Sequence, residues 1–101
     1  MDDRDLYSGF VRLHVLHHGA RGPIFGLGVM EQLAQHGYRL SAGTLYPILH
    51  GLSAKGYLRV TEHREGRHTR KMYRTTPEGR RALADAKARL KDLFGEFFRQ
   101  P

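Results

Sequence analysis

The chain has 101 residues, with 17 Lys and Arg against 10 Asp and Glu and a formal net charge of +7. That length holds one domain and one modest core. No apolar run approaches the about 20 residues of a membrane span, and the absence of cysteine excludes disulfides, thiolate metal sites and thiol catalysis. A small basic chain points to a polyanionic partner, with nucleic acid ahead of an anionic surface.

The opening "MDDRDLYSGF" is acidic and lacks the basic segment and apolar stretch of a signal peptide, so a cytoplasmic chain without membrane association is expected. A first helix is expected from about Arg4 to His18. Leu6, Phe10, Leu13 and Leu16 recur at helical spacing, Val11 and Val15 widen the stripe, and Gly19 is the stop. After the turn "GARGP" a second helix runs from about Ile24 to His36, with Leu27, Met30, Leu33 and Ala34 on its apolar face and Gly37 at its end.

"SAGTLYPILHGLSAKG" reads as a third, short helix. Ser41 is the expected N-cap, its hydroxyl accepting from a free N–H of the first turn. Leu45, Ile48, Leu49 and Leu52 fall at i, i+3, i+4 and i+7 and face the core. Thr44, Tyr46, Pro47, His50 and Ser53 occupy the remaining surface. Pro47 removes one hydrogen bond, and Gly56 stops the helix.

The pattern then switches to alternation. Leu58 and Val60 point one way and Arg59, Thr61 and His63 the other; "REGRH", residues 64–68, contains a turn; residues 69–75 return as a second strand. Arg59, Arg64, Arg67, Arg70, Lys71 and Arg74 face only Glu62 and Glu65, which puts a net +4 of the chain's +7 in this hairpin. Charge concentrated on one element reads as a binding surface. Thr76 as cap, Pro77 at the first position and Glu78 in the first turn open a last helix, which runs to about Arg99, roughly 35 Å. Leu83, Leu90 and Phe97 sit seven residues apart, as do Ala86 and Leu93, with Phe94 and Phe98 beside them.

Three short helices followed by a basic two-stranded wing make a mainly α, winged helix-turn-helix protein. A helix about 10–12 Å across fits the major groove of DNA, about 12 Å wide. A cationic hairpin beside it can reach flanking phosphates and release counterions. The expected DNA-binding residues are Ser41, Thr44, Tyr46 and His50 on the helix and Arg64, Arg67, Arg70 and Lys71, with His68, on the wing. The Thr44 and Tyr46 hydroxyls suit phosphate, while His50 and Ser53 would face bases. Arg80 and Arg81, near the wing base, are either further phosphate contacts or solvated. The face lacks the Arg, Asn and Gln that give the clearest base pairings.

"GTLYPIL", then "GYL", then "RKMYRTTPEGR" resembles the PadR family of bacterial transcriptional regulators over about residues 10–83, and the single final helix resembles its small subgroup. Leu27, Met72 and Thr75 depart from the usual residues, which are Tyr, an aromatic and Leu. The first two are apolar exchanges that the core should tolerate; Thr75 is expected to loosen the wing. The resemblance implies a homodimeric repressor that binds a palindromic promoter site on the bacterial nucleoid and responds to a small, often aromatic effector. Residues 1–76 would form the DNA-binding domain. Residues 77–101 would form a dimerisation helix through Leu83, Ala86, Leu90, Leu93, Phe94 and Phe97, a seam whose spacing suits helix pairing across a two-fold axis but also packing on the first helix. Phe10, Val11, Phe94, Phe97 and Phe98 could line an effector cavity or form ordinary dimer core.

His14 and His18 stand at i, i+4 with His17 between, but without Asp, Glu or Cys at ligand spacing; solvated or hydrogen-bonded histidines are expected, and no metal or other cofactor. No phosphate loop, triad order or carboxylate pair in an apolar setting indicates an enzyme. The alternative to a specific reader is a winged-helix protein-interaction module or a non-specific DNA-binding one.

Overall fold

In the structure, a computed structural model that describes residues 4–99, α1 (Arg4–Arg21), α2 (Gly26–Gln35) and α3 (Ala42–Ala54) lead into a hairpin, β1 (Leu58–Glu65) and β2 (His68–Thr75), and then into α4 (Pro77–Arg99). The first three residues, on which part of the reading of the N-terminus falls, and the last two lie outside the described residues.

α1 continues past Gly19 to Arg21. Gly19 is not a stop but a place of close approach: a Cβ there would lie 2.6 Å from Thr75 Oγ1. The free carbonyl of Ala20 near the helix end accepts a hydrogen bond from Arg80 Nη2 at 2.6 Å, a partner for one of the acceptors that every helix end leaves open. The core face of α1 is Val11, Val15 and Leu16, whereas Leu6 and Phe10 are exposed. The residues expected to widen the stripe therefore form its buried centre.

α2 starts two residues later than its apolar pattern implies. Ile24 is extended instead: it donates to Tyr73 O and accepts from Tyr73 N–H at 2.9 and 2.8 Å, bridging the outer edge of β2. With that start, Gly26, Val29 and Leu33 are buried. Leu27, placed on the apolar face by its spacing, is 55% exposed, and Ala34 is exposed too.

α3 buries Leu45, Ile48, Leu49 and Leu52, all at most 5% exposed. Burial of such a side chain contributes about 1.5–3 kcal/mol before entropy is counted, and four on one short helix outweigh the missing hydrogen bond of Pro47. Ser41 is the N-cap by backbone geometry, but its hydroxyl makes no capping bond; it lies 3.2 Å from Thr44 Oγ1. Gly56, in the left-handed region at φ 81°, ends the helix as the sequence implies.

The strands pair antiparallel from Leu58↔Thr75 to Glu65↔His68, leaving Gly66 and Arg67 as a two-residue turn. Gly66 has φ 60°, the requirement of a type II′ hairpin, whose twist matches that of the strands. Only the base of the hairpin packs on the helices: Leu58, Tyr73 and Thr75 are buried, while Val60, one step further along the same strand face as Leu58, is exposed. Thr75 does not loosen the wing. Its hydroxyl donates to Leu16 O at 2.8 Å across a buried contact, tying β2 to α1. Thr76 Oγ1 accepts from Gly79 N–H at 3.0 Å, the expected N-cap of α4. Leu83 joins the same core, and the chain is elongated, 54 × 33 × 20 Å.

Candidate nucleic-acid interface

The exposed residues of α3 fall on two sides. Ser41 and Thr44 lie together at the start of the helix, and Thr44, half-buried, faces a groove shared with Asp5 and Arg12 of α1 and Tyr38 of the connection between α2 and α3. Tyr46 and His50 face the wing, across a cleft whose other wall carries His68, Arg70, Lys71 and Tyr73. Ser41 and Thr44 thus sit together at the start of α3, and Tyr46 and His50 share a cleft with Arg70 and Lys71. Ser53 is not available to read a base, because its hydroxyl donates to Leu49 O at 2.8 Å and is half-buried.

The wing supplies the charge. Arg59 pairs directly with Arg74 across the strands, both exposed. Like charges directly opposite destabilise a sheet, an arrangement that a polyanion on the outer face would relieve. Arg64 Nε donates to Gly66 O at 3.4 Å and steadies the turn, at whose tip Arg67 is exposed. Arg70 is more constrained. Its guanidinium lies 4.4 Å from the centre of the Phe25 ring and 3.9 Å from Glu65, so it is held over the entrance to α2. Exposed ion pairs of this kind add little stability; the stacking fixes where the charge sits.

Sequence reasoning missed several residues around the cleft. Phe25 and Gly26 come from a segment assigned to the interior of the second helix, and Tyr73 was assigned only by alternation. Their only signal was long-range, the bridge between Ile24 and Tyr73, which no local period carries. Burial, and then the neighbouring Tyr46, pushes the pKa of the Tyr73 hydroxyl up, so it stays a donor at neutral pH.

Other expected sites resolve differently. Arg80 is hydrogen-bonded to Ala20 and Arg81 lies 3.5 Å from Glu78. Leu83 is buried in the chain's own core, so it is not a free contact for a second copy; Leu93, Phe97 and Phe98 are exposed, and Ala86, Leu90 and Phe94 are half-buried. Of the aromatic set, Phe10, Phe94 and Phe97 form one cluster, with ring centres 6.3 and 5.1 Å apart. Val11 is core, and Phe98 is 87% exposed. His14 and His18 rings lie 4.3 Å apart, with His36, the C-cap of α2, 6.3 Å from His14. Burial first, then the charges of His18 and His36, lowers the His14 pKa. Among the described residues no group of three or more His, Asp or Glu side chains is placed to hold a metal ion, and no helix is long and apolar enough to cross a membrane.

Comparison with known proteins follows this architecture. Residues 15–85 match the transcriptional regulator PadR-like family. The chain is 46% identical over 95 residues to the transcriptional regulator Rv3488 of Mycobacterium tuberculosis, covering 92% of this chain and 87% of that one. It superposes on the crystal structure of a PadR family transcriptional regulator from Eggerthella lenta with a TM-score of 0.80 and 34% identity, over 96% of this chain and 88% of the other. A PadR-like transcriptional regulator from Bacillus cereus shares the fold, with a TM-score of 0.83 at 20% identity and 94% coverage of each chain. The chain belongs to the PadR-like family of transcriptional regulators, as a DNA-binding protein of the winged-helix type.

Proposed function

We propose that this regulator is a homodimeric repressor in the bacterial cytoplasm that binds a palindromic promoter site through α3 and the wing, and whose DNA binding is modulated by a small apolar or aromatic effector. The observation that carries the reading is the shared cleft: Tyr46 and His50 of α3 face Arg70 and Lys71 of the wing, so one element can enter the groove while the other holds the flanking backbone. In this reading Ser41, Thr44, Tyr46 and His50 lie at the groove, and Arg64, Arg67, Arg70 and Lys71 serve the phosphates. Residues 1–76 bind DNA, and residues 77–101 pair with a second copy. Phe10 and Phe97, both exposed and joined through Phe94, support pairing, since an exposed apolar cluster on a small protein marks an interaction site. The effector would sit beside the Phe10, Phe94 and Phe97 cluster.

The test compares Tyr46→Ala and Lys71→Ala with the parent chain, using a duplex from upstream of its own gene and a scrambled control. Lys71→Ala should weaken both duplexes alike and reduce the salt slope by about 0.9; Tyr46→Ala should lose affinity without unfolding. Unchanged binding in both would remove the site assignment, and equal affinity for the two duplexes would favour a non-specific or protein-interaction module.

A further inference from the structure

The cleft between α3 and the wing ends on a feature that the recognition helix and the wing cations do not account for. It is lined by Gly26 and Leu27, the first residues of α2. The N-cap there is Phe25, which offers no side-chain acceptor, and the first acceptor in α2 is Phe25 O, taken by Val29 N–H at 3.0 Å. The N–H groups of Gly26, Leu27 and Gly28 therefore have no acceptor within the helix, and the helix dipole places positive potential at the same spot.

A second observation is independent of the helix end. Tyr73 is 5% exposed, yet its hydroxyl makes no hydrogen bond among the described residues. It is not a sealed buried atom either, since among those residues only His14 Nε2 is both fully enclosed and without a partner. Tyr73 lines the cleft, so the small exposed part of an otherwise buried side chain opens there. The Ile24–Tyr73 bridge holds this residue against the entrance to α2. Tyr46 converges on the same point: a Cβ on Gly26 would lie 2.6 Å from its hydroxyl, so glycine is what lets the phenol rest on the helix end.

We propose that one backbone phosphate of the bound DNA seats at this point, accepting from the Gly26 and Leu27 N–H groups and from the Tyr46 and Tyr73 hydroxyls, with Lys71 and Arg70 supplying the opposite charge. The inference rests on the DNA-binding reading above and adds α2 and Tyr73 to the machinery. Donors from three elements around one tetrahedral anion fix the register of α3 in the groove without reading a base, the role that phosphate contacts play in protein–DNA complexes. Glu65, also on the cleft wall, is drawn toward Arg70 and so does not repel the anion with its full charge.

The test uses Tyr73→Phe, which keeps the buried ring, and the upstream duplex with single phosphates replaced in turn by neutral methylphosphonates. The parent chain should show a sensitive phosphate in each half-site. Tyr73→Phe should bind the unmodified duplex about tenfold more weakly and lose its sensitivity at that phosphate alone. Gly26→Ala, which displaces the Tyr46 phenol, should lose it at the same phosphate, with melting followed as a control for folding. Parent-like affinity in Tyr73→Phe overturns the phosphate seat and leaves the DNA reading standing. So does weaker binding with every phosphate sensitivity retained. If the parent chain does not bind the duplex, both fall together.

Discussion

Thr75 gives the sharpest separation between family pattern and structure. The family resemblance puts Leu at this position, and on that pattern exchange to Leu would be expected to tighten the wing. The structure implies the opposite. The Thr75 hydroxyl donates to Leu16 O at 2.8 Å, and there is no room for a larger side chain. Gly19 approaches so closely that a Cβ there would be 2.6 Å from Thr75 Oγ1, and a Cβ on Gly79 would be 2.8 Å from Thr75 Cγ2. Thr75→Val keeps the shape and loses only the hydrogen bond, while Leu16 O retains its helical donor; the cost is about 1 kcal/mol. Thr75→Leu adds overpacking of about 1–3 kcal/mol to the same loss, about 2–4 kcal/mol together. At roughly 4–8 °C per kcal/mol for a domain of this size, the melting temperature should fall by about 5 °C for Val and on the order of 10–20 °C for Leu. Thermal melts at one fixed protein concentration test this, because the proposed pairing would make the midpoint concentration-dependent. A Thr75→Leu variant that melts at or above the parent would mean that the site accommodates the larger side chain and that the hydroxyl bond adds nothing.

Arg74→Gln should relieve the like-charge pair with Arg59, raising stability by a few tenths of a kcal/mol while weakening DNA binding and flattening its salt dependence; melting and anisotropy on one sample read both. His14 and His18 have pKa values lowered below their ordinary 6.5, first by burial and then by neighbouring charge. The unfolded chain therefore takes up protons first as pH falls, so stability is full above about pH 6.5 and is lost as pH drops toward the folded values. Melts from pH 7.5 to 5.5 should show that fall, and His14→Gln should make it shallower. Phe97→Glu, on an exposed side chain, should convert a dimer to a monomer in light scattering with helix content unchanged.

Much of the architecture was legible in the sequence because its signals are local. The i, i+3, i+4, i+7 spacing in "LYPILHGL" led directly to the buried face of α3, and the Thr76-Pro77 boundary is where α4 begins. What failed depended on tertiary contacts. α2 begins late because the chain before it is held extended by Tyr73, which turned Leu27 outward and Val29 inward. Gly19 and Thr75 have meaning only as a pair brought together across the fold. Ser53 looked free on a helical wheel, but its hydroxyl bonds back to the preceding turn, a choice open to any serine in a helix. The cations of the wing were legible as a group; that Arg70 is fixed over Phe25 was not, since no sequence period links the two.

Reading of a particular DNA site by α3 and the wing is the step on which the proposed function depends. It is tested most directly by fluorescence anisotropy of the chain with its own upstream promoter duplex and with a scrambled duplex, each at two salt concentrations. A preference for the promoter that survives the higher salt is expected, because contacts in the groove remain when counterion release has weakened. Equal affinity for both duplexes, collapsing together as salt rises, would contradict it.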